Sequence, residues 1–364
     1  MIDKKNKKKF GGDFELSKSD FELSKSDFNS NNQTTSNFFK KPFIYYLDTG
    51  RSAIKVSLEN IIKKSSINKA WLPYFICETV IKPFIELGFE IEYYGMGVNL
   101  DSPRGLPKNL NSCVFFFAHY FGKSNVPIMK YIEQCADNSV VIIEDCVQSC
   151  LSNKTGTKGD YLIHSLRKFL PVPDGAILES NTEIDLSISK PNEEFISNKL
   201  ISKLLKGFNI DNDEEYLFYY KKGEEIIDGK IMPRQMSSFS KYIFSNLNLN
   251  YIHKKRINNW LALNEFFNKS SLNAKSLVSV YQNDKNINIP ITYPVKIQNE
   301  QRTKILQYLR EKKVFCAIHW KLPKTNNKML LEDYKLSKEI FSIPIDQRLS
   351  RDDINSLINI LISF

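Results

Sequence analysis

Residues 140–178 read VVIIEDCVQSCLSNKTGTKGDYLIHSLRKFLPVPDGAIL. The apolar run that opens this stretch ends in an acidic pair, Glu144 and Asp145. A second apolar run, YLIHSL, leads into Arg167 and Lys168, and a third follows a turn that contains two prolines and a glycine. Continuous apolar runs of strand length are typical of strands buried on both faces of a sheet. The stretch therefore predicts neighbouring buried strands, two of which end in charged side chains.

The same alternation extends over most of the chain and predicts its fold class. From about residue 43, short apolar runs alternate with amphipathic segments. This pattern is typical of an α/β protein in which helices cover both faces of a mostly parallel sheet. We predict a polar N-terminal arm over residues 1–40, a large α/β domain with a helical extension over 41–270, and a small mixed domain over 271–364.

The predicted arm contains a tandem duplication. The heptapeptide DFELSKS occupies residues 13–19 and occurs again at residues 20–26. Two copies are too few for a solenoid or a stable coiled coil. The duplication therefore favours a surface arm, which could still pack on a neighbouring subunit.

Composition indicates a globular protein. Of the 364 residues, 42% are hydrophobic and 25% are charged, which is ordinary for that class. The longest apolar runs have the length of a strand and are too short to cross a bilayer. The N-terminal sequence MIDKKNKKKF lacks the apolar core of a secretion signal. We therefore expect a cytoplasmic protein without membrane insertion.

Charge and cysteines narrow the possible partners. The net charge is +10, and five lysines between residues 4 and 9 account for half of that excess. No nucleic-acid-binding motif accompanies them, so we predict no nucleic-acid partner. The six cysteines form no CxxC pair and lack histidines at zinc-ligand spacing. We predict neither a metal site nor a disulfide framework.

The turns that follow the strands are the places to search for a site, because ligands of such sheets bind beyond the carboxyl ends of the strands. The first turn is LDTGRSA, in which Gly50 precedes Arg51 and Ser52 at a helix start. Backbone N–H groups at a helix N-terminus, together with a hydroxyl, favour a phosphate. A glycine at this position is also compatible with ordinary turn chemistry.

The second turn follows Asp145. A carboxylate at the end of a buried strand needs a cationic or hydrogen-bonding partner. Asp145 could be a metal ligand, the acid of a hydrolase triad, the partner of a heterocyclic cation, or a helix cap. No second carboxylate or histidine lies at ligand spacing, which disfavours the metal.

The third turn follows the strand YLIHSL and presents Lys168. Lysine normally stays solvated, and a lysine at the end of a buried strand is unusual. Partial burial beside other cations would make its amine more nucleophilic. A solvated surface lysine is the alternative.

Taken together and in this order, the motifs resemble the DegT/DnrJ/EryC1/StrS family of sugar aminotransferases. The resemblance begins at about residue 39. It rests on the phosphate turn, on IED with Gln148 three residues after Asp145, on GDY, and on PDG, whose Asp174 lies six residues after Lys168. The segments YFGKSNVPIMKYIEQCA, KKRINNW and SIPIDQRLSRDDINSLINIL are also similar to segments of that family. The resemblance implies the aspartate-aminotransferase-like fold, type I of the pyridoxal 5'-phosphate (PLP) enzymes. That fold has a three-layer α/β/α large domain and a small C-terminal α+β domain.

The resemblance also implies PLP as the cofactor and assigns it residues. Lys168 would bind PLP covalently and move protons, Asp145 would pair with the ring nitrogen, and Gln148 would contact the phenolic oxygen. The phosphate would be held by Gly50, Arg51, Ser52 and Ser165. The residue that stacks on the ring would be Phe75 or Cys77, with Tyr74 behind.

The implied activity is transfer of an amino group, with glutamate as the expected donor, to a nucleotide-linked keto sugar in surface-polysaccharide biosynthesis. A homodimer is implied, with Arg234 reaching across. Two alternatives stay open: dehydration, aldol cleavage or racemisation with the same cofactor, and a degenerate relative that regulates or binds. We interpret His119 and His319 as packed, hydrogen-bonded histidines rather than catalytic bases.

Overall fold

The computed structural model describes residues 8–16, 38–185, 188–208, 214–269, 277–281 and 287–364. The strands of these residues are β1 Phe10–Gly11, β2 Phe43–Leu47, β3 Lys69–Pro73, β4 Glu90–Tyr94, β5 Val114–Ala118, β6 Val141–Asp145, β7 Tyr161–Ser165, β8 Ala176–Ser180, β9 Val278–Ser279, β10 Tyr293–Lys296, β11 Val314–Phe315 and β12 Ile340–Ile343. The α-helices are α1 Gly50–Lys64, α2 Glu78–Glu86, α3 Val126–Cys135, α4 Glu193–Phe208, α5 Glu214–Asp228, α6 Ser238–Asn246, α7 Leu249–Lys269, α8 Asn299–Glu311, α9 Leu331–Glu339 and α10 Arg351–Ile362.

A seven-stranded sheet forms the centre of the protein, in the order β2-β8-β7-β6-β5-β3-β4. Strand β8 is antiparallel to both of its neighbours, and the other pairings are parallel. Every residue of β5, β7 and β8 is buried, as their apolar sequences predict. The predicted mostly parallel sheet is confirmed, and the carboxyl ends of β2 and β5 to β7 lie along one edge.

The C-terminal region has sheets of its own. Strand β10 pairs antiparallel with β9 and β12, and helices α8 to α10 alternate with these strands in sequence. Helix α10 begins with a capping box, in which Ser350 and Asp353 bond to each other's backbone N–H. This mixed architecture agrees with the small C-terminal domain, while the division at residues 40 and 270 stays a prediction.

The described part of the N-terminal segment packs into the protein. Phe10 and Gly11 form a strand that pairs in parallel with β11, and Phe14 is buried under the Arg348 guanidinium, 4.5 Å from its ring centre. Asp13 accepts a hydrogen bond from Lys203 at 3.0 Å. This part differs from the surface arm expected from sequence, and the rest of the duplication lies outside the described residues.

The predicted helical extension corresponds to α4 to α7. Helices α4 and α5 pack against each other, and Lys199 and Lys203 of α4 are buried in ion pairs. Among the described helices, none combines the length and apolarity that crossing a bilayer requires.

Candidate active site

Three of the turns singled out in the sequence meet at the carboxyl edge of the sheet. A Cβ atom added to Gly50 would lie 3.9 Å from the Ser165 Cβ and 3.9 Å from the Val147 Cγ2. Gly50 follows β2, Val147 follows β6, and Ser165 ends β7. The fold therefore brings the predicted phosphate turn, acid turn and lysine turn into contact.

The phosphate turn is the N-terminus of α1. Thr49 caps the helix, and its hydroxyl accepts a hydrogen bond from the Ser52 N–H at 3.3 Å and lies 3.0 Å from the Ser52 Oγ. Ser52 and Ser165 are both buried. The free amides at this helix start and the Ser165 hydroxyl suit an anion, whereas the Ser52 hydroxyl also bonds to the buried carboxyl of Asp48, whose pKa is raised by burial.

The guanidinium of Arg51 points away from the phosphate turn and contacts helix α5. Its Nη1 donates to the Ile227 carbonyl at 2.6 Å and to the Asp228 Oδ1 at 3.0 Å, both at the end of α5. The position of residue 51 in the helix start is as predicted, but the side chain is engaged with α5.

Asp145 is the last residue of β6, paired with Ala118 of β5 and Ile163 of β7. Its Oδ1 accepts one hydrogen bond, from the Val147 N–H at 2.8 Å. Burial raises the pKa of the Asp145 carboxyl from its ordinary 3.8 to about 6, against the hydrogen bond from Val147 and the nearby histidines. The carboxylate therefore lies buried with less compensation than its charge requires.

Glu144, the other member of the acidic pair, is fully hydrogen-bonded on the opposite face of the strand. It accepts from His119 Nε2 at 2.6 Å and from the backbone N–H groups of Gly156, Lys158 and Gly159. Burial opposes its ionisation, but these donors, His119 first, hold the pKa of Glu144 at about 2. Glu144 therefore organises the loop before β7.

His119 is a packed histidine. Its Nδ1 accepts from the Asn125 N–H at 3.0 Å, which leaves the Nε2 proton for Glu144. His119, Glu144 and Cys146 are the one group of described residues whose atoms lie close enough together to hold a metal. Their hydrogen bonds already use both nitrogens and both carboxylate oxygens, so the arrangement does not fit a metal ion.

Gln148 has a defined orientation. Its Oε1 accepts from the Phe121 N–H at 2.6 Å, which leaves the Nε2 group as the donor. Phe121 has a φ of 54°, a left-handed conformation that is unusual for a large side chain. The turn after β5 is tied to the chain at Asn288, whose N–H donates to the Gly122 carbonyl at 3.0 Å, and the approach is so close that a Cβ on Gly122 would lie 2.2 Å from the Ile289 carbonyl oxygen.

Lys168 ends a 3-10 turn, Leu166–Lys168, directly after β7. Its side chain is exposed and makes no hydrogen bond or ion pair with the parts of the chain that the structure describes. Gln347 anchors this turn, because its Nε2 donates to the Phe169 carbonyl at 2.7 Å. The Gln347 Oε1 in turn accepts from the Arg256 Nε at 2.9 Å. The amine is thus free, on an anchored turn.

His319 has a buried nitrogen that no sequence pattern indicates. Its Nε2 is buried and has no hydrogen-bonding partner among the described residues. Burial and, to a smaller extent, the charge of Lys168 lower the pKa of His319 to about 3. We expected a hydrogen-bonded histidine here, whereas His319 is a neutral imidazole near Lys168 whose Nε2 lacks a partner among the described residues.

The predicted stacking residues differ in their surroundings. Phe75 is fully buried, with its ring centre 5.3 Å from Trp320 and 5.8 Å from Tyr120. Cys77 caps α2, and its Sγ lies 3.2 Å from the Thr79 hydroxyl. The ring of Phe75 therefore has no face open to a cofactor in this structure, whereas Cys77 is half-buried and the more accessible of the two positions.

Tyr74, Asp174 and Arg234 serve structural contacts. Tyr74 donates its hydroxyl to the Pro323 carbonyl. Asp174 accepts from the Ser237 N–H at 2.7 Å and its hydroxyl at 2.6 Å, at the start of α6. The Arg234 carbonyl accepts from the Asp48 N–H at 3.0 Å, beside the phosphate turn.

The donor set fits PLP. A helix start offers amides and hydroxyls to a phosphate, an under-compensated carboxylate is available to a ring cation, and an unpaired lysine lies on the same edge. The orphaned Nε2 of His319 adds a buried polar atom that a bound group would satisfy.

Comparison with solved structures identifies the fold. PseC of Helicobacter pylori, an aminotransferase involved in pseudoaminic acid biosynthesis, has a TM-score of 0.66 and 13% sequence identity, with 98% of this chain and 99% of that chain covered. The chain adopts the type I fold of PLP-dependent enzymes. The expected fold class is confirmed, while no known protein family and no curated protein matches the sequence.

Two further neighbours were solved with cofactor. The GDP-4-keto-6-deoxy-D-mannose-3-dehydratase of E. coli with bound hydrated PLP has a TM-score of 0.65 and 13% identity, over 97% of this chain and 100% of that chain. NtdA of Bacillus subtilis with bound PMP has a TM-score of 0.62 and 13% identity, over 97% of this chain and 78% of that chain.

Replacing the two histidines by phenylalanine is expected to have opposite effects. His319→Phe keeps a ring and removes an unpartnered nitrogen, so the free energy of unfolding should stay level or rise by about 1–3 kcal/mol. His119→Phe leaves the buried Glu144 with only its backbone donors and should cost about 1.5–3 kcal/mol. Urea unfolding of both variants tests this, and equal losses of stability would contradict the assignment of His319.

Proposed function

We propose that this protein is a PLP-dependent aminotransferase that moves an amino group from an amino acid to a keto sugar. The observation that supports this most is the buried Asp145 carboxylate. It has a pKa of about 6 and a single backbone donor, on the sheet edge from which Lys168 emerges. A carboxylate so placed is stabilised by a cationic ring nitrogen.

The proposed role of each residue follows from its position. Lys168 would hold the cofactor through its amine and move a proton at Nζ. Asp145 would pair with the ring nitrogen, and Gln148 would donate from Nε2, since its Oε1 is held by Phe121. Phosphate would lie at Gly50, Arg51, Ser52 and Ser165, and the ring would stack at the position of Phe75 or of the more accessible Cys77. When bound, the cofactor supplies an electron sink for the substrate's bonds.

We further propose a nucleotide-linked keto sugar as acceptor, glutamate as donor, and a role in surface-polysaccharide assembly. The names of the neighbours support the sugar: one takes part in pseudoaminic acid biosynthesis, and another is named for a GDP-linked keto sugar. A cytoplasmic homodimer, with Arg234 near the second subunit, completes the proposal. The dehydratase among the neighbours makes dehydration the second candidate.

The half-reaction with glutamate tests the proposal. Mixing the PLP-loaded protein with glutamate should bleach its visible absorbance and release 2-oxoglutarate in an amount equal to the bound cofactor. Adding GDP-4-keto-6-deoxymannose or a related nucleotide-linked keto sugar should restore the absorbance and give an amino sugar. PLP binding without 2-oxoglutarate release would contradict amino transfer from glutamate. Loss of water from the sugar, with no amino sugar formed, would support the dehydratase.

The matched control is Lys168→Arg, which keeps the charge but cannot link to the cofactor. It should release no 2-oxoglutarate above background. Release at the wild-type level by Lys168→Arg would show that another residue performs the reaction.

A further inference from the structure

One face of helix α5 contacts both turns of the proposed cofactor site. Arg51, next to Gly50, donates to the Ile227 carbonyl at 2.6 Å and to the Asp228 Oδ1 at 3.0 Å. Arg167, next to Lys168, donates from Nη2 to the Glu224 Oε1 at 2.6 Å. Positions 224, 227 and 228 are three and four residues apart, so they share one face of the helix.

Glu224 is the centre of the contact on the lysine side. Its Oε1 also accepts from the buried Lys199 of α4 at 2.7 Å, so two cations share one carboxylate oxygen. Burial opposes the ionisation of Glu224, but Arg167 and then Lys199 hold its pKa at about 2. The Arg167 guanidinium also lies 5.3 Å from the ring centre of Phe195. Arg167 is therefore fixed on both sides and restrains the turn that bears Lys168.

The C-terminal end of α5 is the centre of the contact on the phosphate side. The last carbonyls of a helix lack partners within the helix and carry partial negative charge. Arg51 and Lys82 donate there, Lys82 to the Gly229 carbonyl at 2.6 Å, and Lys55 donates to the Ile231 carbonyl at 2.7 Å. Arg51 and Lys55 belong to α1, whose N-terminus is the proposed phosphate site.

Partial burial separates this arrangement from ordinary surface ion pairs. The side chains of Arg167 and Glu224 are 20% and 29% exposed, and that of Lys199 is 1% exposed. Ion pairs between fully exposed residues contribute little, because solvent screens them. Here one carboxylate is shared by two cations in a partly buried setting. Removing the carboxylate therefore leaves buried positive charge without compensation and destabilises the protein.

We propose that helix α5 positions the cofactor site, with Glu224 holding the Lys168 turn through Arg167 while the end of the helix holds α1 through Arg51. The inference rests on the proposed function and adds positioning residues to it. Glu224 and Arg167 then act on cofactor capture without touching the cofactor.

The test compares Glu224→Gln with Glu225→Gln in the full-length protein. Glu225 is exposed on the same helix, so the control makes the same chemical change away from the two turns. Glu224→Gln should weaken PLP binding about tenfold. It should also lower the share of bound PLP that absorbs in the visible range, because the Lys168 amine is displaced. Glu225→Gln should match the wild type in both measurements.

A second set of variants keeps the test decisive if Glu224→Gln folds poorly. Arg167→Gln should reproduce the loss, and Arg167→Lys, which retains a charge for Glu224, should restore part of it. The double variant should be no worse than either single variant. If PLP binds the wild type, and Arg167→Gln and Glu224→Gln match Glu225→Gln in affinity and absorbance, the inference is wrong. If the wild type itself takes up no PLP, the proposed function fails instead.

Discussion

Lys168→Ala is expected to remove the visible absorbance of the PLP-loaded protein and to lower amino transfer by at least about 10²-fold. Lys168 is the exposed residue at the end of the turn after β7, and its amine makes no hydrogen bond or ion pair with the described residues. Without that amine, PLP keeps its phosphate and ring contacts but loses its link to the chain. Absorbance after dialysis against buffer without PLP is the measurement.

Lys154→Ala is the matched control for this prediction. Lys154 is an exposed lysine in the loop between β6 and β7. Its replacement by alanine removes the same charge as Lys168→Ala from a nearby part of the chain. It should retain the absorbance and the activity of the wild type. A visible band that survives Lys168→Ala and disappears in Lys154→Ala would contradict the assignment.

Asp145→Asn is expected to abolish tight PLP binding while stabilising the protein without cofactor. The change removes a buried charge and keeps the shape of the side chain, so the hydrogen bond from the Val147 N–H can be retained. A pKa near 6 in place of 3.8 corresponds to a cost of about 3 kcal/mol for the charged form at neutral pH. The variant should recover up to this amount in urea unfolding at pH 7.

The pH dependence fixes the sign of this effect. Since the folded state holds the Asp145 proton up to about pH 6 and the unfolded state releases it near 3.8, wild-type stability falls, relative to Asp145→Asn, as pH rises through this window. At pH 3 the two proteins should be nearly equal, and above pH 7 the difference should be constant. A difference that shrinks as pH rises would contradict the buried, under-compensated carboxylate.

Glu144→Gln provides the control for Asp145→Asn one residue earlier on the same strand. The folded-state pKa of Glu144 is about 2, below its ordinary 4.5, so its charge stabilises the protein above pH 4.5 and the stability is lost as pH falls toward 2. Its removal should therefore destabilise the protein at pH 7 by about 3 kcal/mol. The two adjacent substitutions are expected to have opposite signs.

The fold could be predicted because the inner strands of the central sheet, β5, β7 and β8 above all, are buried on both faces. Runs such as VFFFA and VIIED show no alternation of apolar and polar residues, which is typical of strands covered on both faces. The helices between them have clear starts and ends. The turns after these strands then gave Gly50, Asp145 and Lys168 without any knowledge of contacts, and the family resemblance added Gln148 and Ser165. Their grouping follows from parallel strand direction alone.

Other features depend on contacts between residues far apart in the chain. His319 lies near Lys168, and β1 pairs with β11, at sequence separations that no local pattern encodes. Alternation along β6 predicts that Glu144 and Asp145 face opposite sides, but the position of His119, directly after β5, decides that Glu144 is the one with a side-chain partner. The contact between Arg51 and α5 could not be predicted from the sequence either. An arginine at a helix start can bind an anion or the C-terminal end of another helix.

The most direct measurement is to reduce the PLP-loaded protein with borohydride and to map the labelled peptide. The label is expected on Lys168, in the peptide that follows the strand YLIHS. Lys199 is the informative alternative, since burial and then Arg167 lower its pKa to about 8, although Glu224 holds its amine. A label on Lys199, or a protein that takes up no PLP, would contradict the account.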